Sequence, residues 1–285
     1  MNNKYITLIL AVLLGTTIPL LLASSYPARH NDFMLDVARG QHHTIGVNKF
    51  GRTENVDNGI STDVWDRANP TDDQDIWIAP TVARVHQIVS SSASDDGSPV
   101  GVGARTLRVF GLTSWDADGE TTEDITLNGT TNVATSNSYV IIYRLAVLTK
   151  GATSANVGTI TATADTDATV TAQIQPSAGD TQMAIFGVSS KFDCYLISFY
   201  GSVQAVSSGK EIKITLLVNP EPDAELTNFL TRHTFGIGGS GTTAIQHMFK
   251  PYVRLVGPGI FKVNVTGDAD NMDVSAGFDI ILIRK

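Results

Sequence analysis

Cysteine is nearly missing from this chain. Cys194 is the only one in 285 residues, so no disulfide can close within it and no thiol-rich metal site can form. Its neighbours Asp193 and Tyr195 make no electropositive niche, and the residue reads as a buried structural thiol. Charge is scarce too: Asp, Glu, Lys and Arg are 17% of the chain, with a net charge of −8. Phosphate-backbone binding needs Lys and Arg gathered on one face, so nucleic acid is not an expected partner. The six histidines are dispersed. His42 and His43 are adjacent and would point to opposite faces of a strand, and no H-x-x-x-H or Cys/His spacing occurs, so neither zinc nor any other cofactor is expected.

What the chain does have is Gly, Thr, Ser, Val and Ala in short runs, the material of strands and tight turns. Apolar or alternating segments fall at 82–91, 105–112, 123–127, 138–148, 157–164, 168–174, 184–188, 195–206, 211–218, 229–237, 250–256, 260–266 and 277–285, divided by Gly, Asn, Asp and Ser clusters. "GPG" at 257–259 reads as a hairpin turn, and the last strand as a central one. No internal repeat is visible, which argues against a propeller or solenoid. The expected fold is all-β: an antiparallel β-sandwich, jelly-roll-like, with an extended N-terminal arm and an apolar N-terminal helix. Residues 175–194 read as a corner between two sheets.

Four regions follow. Residues 1–25 hold the uncharged run "YITLILAVLLGTTIPLLLA" (5–23), long enough to span or contact a membrane, and equally a secretory leader with small residues Ala23 and Ser25 before a cleavage point. Residues 26–80 are polar, with the composition of an arm that lies over a scaffold. Residues 81–175 form a first β part, and 176–285 a second, in the same or another sandwich.

Most candidate chemistry fails on inspection. "GIGGSGTT" (236–243) has phosphate-loop spacing, but Thr242 stands where the loop needs Lys. "WDADGE" (115–120) sets Asp116, Asp118 and Glu120 at alternate positions, yet Leu127 occupies the twelfth place where a calcium loop needs a bidentate carboxylate. "GDADNMD" (267–273) offers Asp268, Asp270 and Asp273 similarly. Both read as acidic turns capping their own backbone, and no catalytic or metal residue is assigned.

The densest polar-aromatic stretch is "GVNKFGRTENVDNGISTDVWD" (46–66). Lys49, Arg52, Asp57, Asp63 and Asp66 can make interchain ion pairs, and Phe50 and Trp65 can serve as aromatic anchors. The plain alternative is that both aromatics plug their own sandwich. Together with "SSSASDD" (90–96), "GVGARTLRVFGL" (101–112), "LNGTT" (127–131) and "NVGTI" (156–160), the order of these motifs resembles a widespread family of tailed-bacteriophage virion structural proteins. The resemblance covers about residues 44–165; residues 5–23 and 175–285 lie outside it.

That resemblance implies a non-enzymatic virion component, capsid- or tail-associated, of decoration, fibre or adaptor type. Its partners would be copies of itself, a homotrimer above all, and other virion proteins, engaged through the N-terminal arm. A second reading is a secreted or membrane-anchored bacterial surface protein with a binding sandwich. A third is a hydrolase whose site assembles only in three dimensions.

Overall fold

Strand pairing begins inside the segment expected to be an arm. The structure, a computed structural model, describes residues 33–66, 74–153, 155–204, 210–239 and 243–285. The apolar run at 5–23 lies outside them. Residues 1–42 and 43–285 are separate units. The described part of the first holds one short α-helix, α1 (Phe33–Ala38), followed by Gly40 in the left-handed conformation that glycine adopts without cost, and the start of a 3-10 turn at Gln41–His43.

The second unit is built of β1 (Thr44–Val56), β2 (Ser61–Asp63), β3 (His86–Ser90), β4 (Ala104–Leu112), β5 (Thr121–Thr126), β6 (Val133–Ala134), β7 (Ile141–Lys150), β8 (Ile160–Ala164), β9 (Val170–Ile174), β10 (Ile185–Val188), β11 (Phe192–Gln204), β12 (Lys210–Asn219), β13 (Leu230–Gly239), β14 (Thr243–Val256), β15 (Gly259–Gly267) and β16 (Met272–Arg284). The chain is all-β, and its ladders are antiparallel.

Two sheets are built from β1, β2 and β10 to β16. One has the order β1-β16-β11-β14; the other has β10-β15-β12-β13, with β2 also on β15. Between β10 and β16 the chain changes sheet at every step except β12 to β13. The two sheets face each other through large apolar side chains. Phe261 of β15 meets Phe278 of β16 at 5.4 Å between ring centres, and Phe199 of β11 meets Phe235 of β13 at 4.7 Å. Each such buried ring contributes roughly 2–3 kcal/mol.

The terminal strand β16 is central, between β1 and β11. The turn at 257–259 is not a hairpin, because Val256 pairs with Asp193 in one sheet while Gly259 pairs with Val188 in the other. It is a crossover, and local turn chemistry cannot tell the two apart.

The remaining strands form an insert with two sheets of its own, β6-β3-β8-β9 and β5-β4-β7. Its place of insertion is sharply defined. β2 and β10 lie end to end along the same side of β15, with Asp63 opposite Asn264 and Ile185 opposite Lys262. Between them Val64 N–H donates to Val263 O (2.9 Å), and Val263 N–H donates to Ala184 O (3.2 Å). The chain therefore leaves a strand at Val64, builds the insert, and rejoins the line of that strand at Ala184.

Residues 44–56 are thus a sheet strand, paired along β16 from Thr44–Ile283 to Val56–Met272. Gly51 explains part of why this was hidden. A Cβ there would stand 2.7 Å from Val64 O and 2.8 Å from Gln182 O, and closer still to Ala184 N. The strand needs a glycine where exit and return pass beneath it.

Candidate functional site: the seam between insert and double sheet

The stretch 46–66 runs along this seam, and the structure divides its candidate interface residues. Trp65, Asp63, Asp66 and Lys49 are buried within their own chain; Phe50 and Asp57 are exposed, and Arg52 is half-exposed. Arg52 pairs with Glu54 at 2.7 Å. Burial raises the Asp66 carboxyl to about 7, reinforced by Glu54 and opposed by Arg52.

Asp63 is fully enclosed. Its Oδ2 accepts from Lys262 Nζ (2.7 Å) and from Trp77 N–H (2.9 Å), and its Oδ1 accepts from Asn264 Nδ2 (2.9 Å). Lys262 also lies 4.4 Å from the centre of the Phe229 ring. Burial pushes the Asp63 carboxyl up, against the pull of Lys262 and the two further donors. Trp77 in turn donates its indole N–H to Thr171 O in β9 (2.8 Å). One carboxylate thus ties β2, β15 and the first turn of the insert together.

Beside β1 lies a cleft of about 660 Å³ whose lining includes Lys49, Leu112, Glu120, Tyr143, Arg144, Asp180, Phe186, Val188 and Leu282. Lys49 is only 8% exposed and donates to the carbonyl of Tyr143. Burial lowers its ammonium to about 7, with Asp180 and Glu120 opposing and Arg144 assisting. The other polar groups hold one another: Tyr143 Oη donates to Glu120 Oε2 (2.8 Å), and Arg144 Nε donates to Asp180 Oδ2 (3.0 Å).

The outer face of β1 is different. Phe50, 56% exposed, borders a shallow groove with Tyr200, Ser202, Ile245 and Ser275. Asn48 bonds both Tyr200 Oη and Asp279 there. β14 ends its sheet and exposes Ile245, Met248, Tyr252 and Val256.

The motifs at 90–96, 101–112, 127–131 and 156–160 converge on one buried residue, Asp95. Its carboxylate accepts from Ser90 Oγ (2.6 Å) and from the backbone N–H of Ala104, Val157 and Gly158 (2.8 Å each). Its carbonyl accepts from Gly129 N–H (2.9 Å). A Cβ on Gly158 would stand 2.6 Å from both Ser91 Oγ and Ser92 N. An ordered series in the sequence, these motifs are joined in the fold by a structural knot in the insert.

The acidic turns are likewise engaged within the chain. Asp116 bonds Ser190 and Lys191, Asp118 bonds Arg284 (2.8 Å), Asp268 accepts from Glu211 N–H (2.7 Å) and Asp270 from Asn58 N–H (2.9 Å). Among the described residues no three His, Cys, Asp or Glu side chains gather as metal ligands. The phosphate-loop look-alike lies partly outside the described residues, at 240–242. Cys194 is buried, which pushes its thiol well up. Among the described residues no helix is long and apolar enough to cross a membrane.

No family model matches the chain, and no curated protein matches it. Among solved structures it has weak similarity to virus-particle proteins. A structure of infectious bursal disease virus, Gt strain, aligns at 9% identity over 85% of this chain and 72% of that one, with a TM-score of 0.23. The VP2 subviral particle of the same virus aligns at 9% identity over 84% and 71%, with a TM-score of 0.22. Similarity at this level defines neither a shared fold nor a shared role.

Proposed function

We propose that the chain is a non-enzymatic structural component of a virion, and that its double sheet is a jelly roll carrying an inserted β domain. The observation that carries this is strand order. Lettering β1, β2 with β10, and then β11 to β16 as B to I gives sheets ordered B-I-D-G and C-H-E-F, the arrangement of double-sheet jelly rolls, a class that includes capsid domains as well as lectins and cupins. The space between the sheets is filled by Phe199, Phe235, Phe261 and Phe278, which suits a building block better than a ligand-holding barrel.

Self-association is the second element of the proposal. An end strand with four exposed apolar side chains is a surface that another copy can cover, and Phe50 adds an aromatic anchor on the same sheet's outer face. A homotrimer acting as a decoration, fibre or adaptor protein fits the sequence resemblance. Introducing Ile245→Asp with Tyr252→Asp tests this: sedimentation velocity should show the oligomer reduced to monomer, with an unchanged β circular-dichroism spectrum. An assembly that survives both substitutions would remove β14 from the proposal.

A further inference from the structure

The Lys49 cleft is not accounted for by a structural role. A buried ammonium has three N–H donors, and among the described residues Lys49 has one hydrogen-bond acceptor, the Tyr143 carbonyl. Buried donors without acceptors are costly, and native interiors rarely leave them so. The neighbouring carboxylates face other donors: Glu120 accepts from Tyr143 Oη and Asp180 from Arg144, and neither forms a hydrogen bond with Lys49. The same lining carries the apolar side chains of Leu112, Phe186, Val188 and Leu282.

We propose that this cleft binds a small molecule carrying a single carboxylate on an apolar body, with the carboxylate on Lys49 and the body along those apolar walls. The volume, about 660 Å³, lies within the size range of small-molecule sites. Beyond the Tyr143 carbonyl and the Tyr143 ring 5.7 Å away, two N–H donors of Lys49 are left for one carboxylate. Glu120 and Asp180 in the same lining disfavour a second negative charge, which selects against phosphates and dicarboxylates. The lowered proton affinity of Lys49 is consistent with a site completed by its ligand, since a bound carboxylate restores the acceptors that burial removed.

Octanoate is the probe, with octan-1-ol as the uncharged match, titrated calorimetrically into the full chain at pH 6 and pH 9. Octanoate should bind once per chain at pH 6, at least tenfold more tightly than octan-1-ol. It should weaken at least tenfold by pH 9, where Lys49 has lost its proton and octanoate has not changed charge. Lys49→Met should abolish the preference for octanoate over octan-1-ol. No saturable binding at millimolar octanoate, equal affinity for the alcohol, affinity independent of pH, or a preference that survives Lys49→Met would each overturn the proposal. The pH comparison uses the unaltered chain, so it stands even if the variant fails to fold.

Discussion

Replacing Lys262 by Met isolates the buried charge of Asp63, and the structure sets the size of the effect. The substitution keeps the volume in β15 and removes the 2.7 Å ion pair, while Trp77 N–H and Asn264 Nδ2 remain on the carboxylate. Asp63 then either stays charged without a cation in a fully buried place, at about 3–5 kcal/mol, or takes up a proton. From an ordinary carboxylate value of 3.8, protonation at pH 7 costs about 4 kcal/mol, which caps the loss. The cap falls by about 1.4 kcal/mol per pH unit, to about 1.6 kcal/mol at pH 5. Urea unfolding of Lys262→Met against the unaltered chain should therefore show a loss of about 3–4 kcal/mol at pH 7 that shrinks by at least half at pH 5. Adding Asp63→Asn should recover most of it. A loss below about 1 kcal/mol at pH 7, or one that does not change with pH, would refute the reasoning that this pair holds β2 to β15 as a desolvated couple.

Three further outcomes are expected. His86 is buried with Nδ1 on Arg84 O (3.0 Å), and burial lowers it to about 4. Its neutral form is favoured in the fold, so the stability it contributes is complete above its unfolded value of 6.5 and is lost as pH falls towards 4, by up to about 3 kcal/mol; His86→Phe should flatten that part of the urea-midpoint profile. Asp95→Ala strips the acceptor from Ser90 Oγ and three backbone N–H groups and should cost about 3–5 kcal/mol, read as a lower melting temperature. Replacing residues 65–183 by a short Gly/Ser linker should leave a folded double sheet, because Ala184 N–H already donates to Val64 O at 2.8 Å; loss of the β circular-dichroism signal would show that the insert is needed to hold the splice.

Much of the fold was legible because half-buried strands alternate and fully buried ones run apolar, and each candidate run became a strand. β1 was not legible, since Asn48, Arg52 and Glu54 give it the texture of a loop, and Lys49 is buried only because the insert folds back over it. The splice was invisible for a related reason. Asp63 and Lys262 are 199 residues apart, so the charge that looked like a surface contact acquires its partner only through β15. Trp65 reads equally as anchor or plug from sequence, and in the fold it is enclosed by its own chain. Phe50, fifteen positions earlier, stays exposed and borders the shallow groove with Tyr200 and Ile245. The Lys49 cleft gave no local signal, as its lining comes from β1, the insert, β10, β11 and β16.

Native mass spectrometry of the full chain tests the central claim most directly. A defined homo-oligomer, with a trimer favoured, is the predicted result. A monomer that persists at tens of micromolar would contradict a protein that works by packing against its own copies.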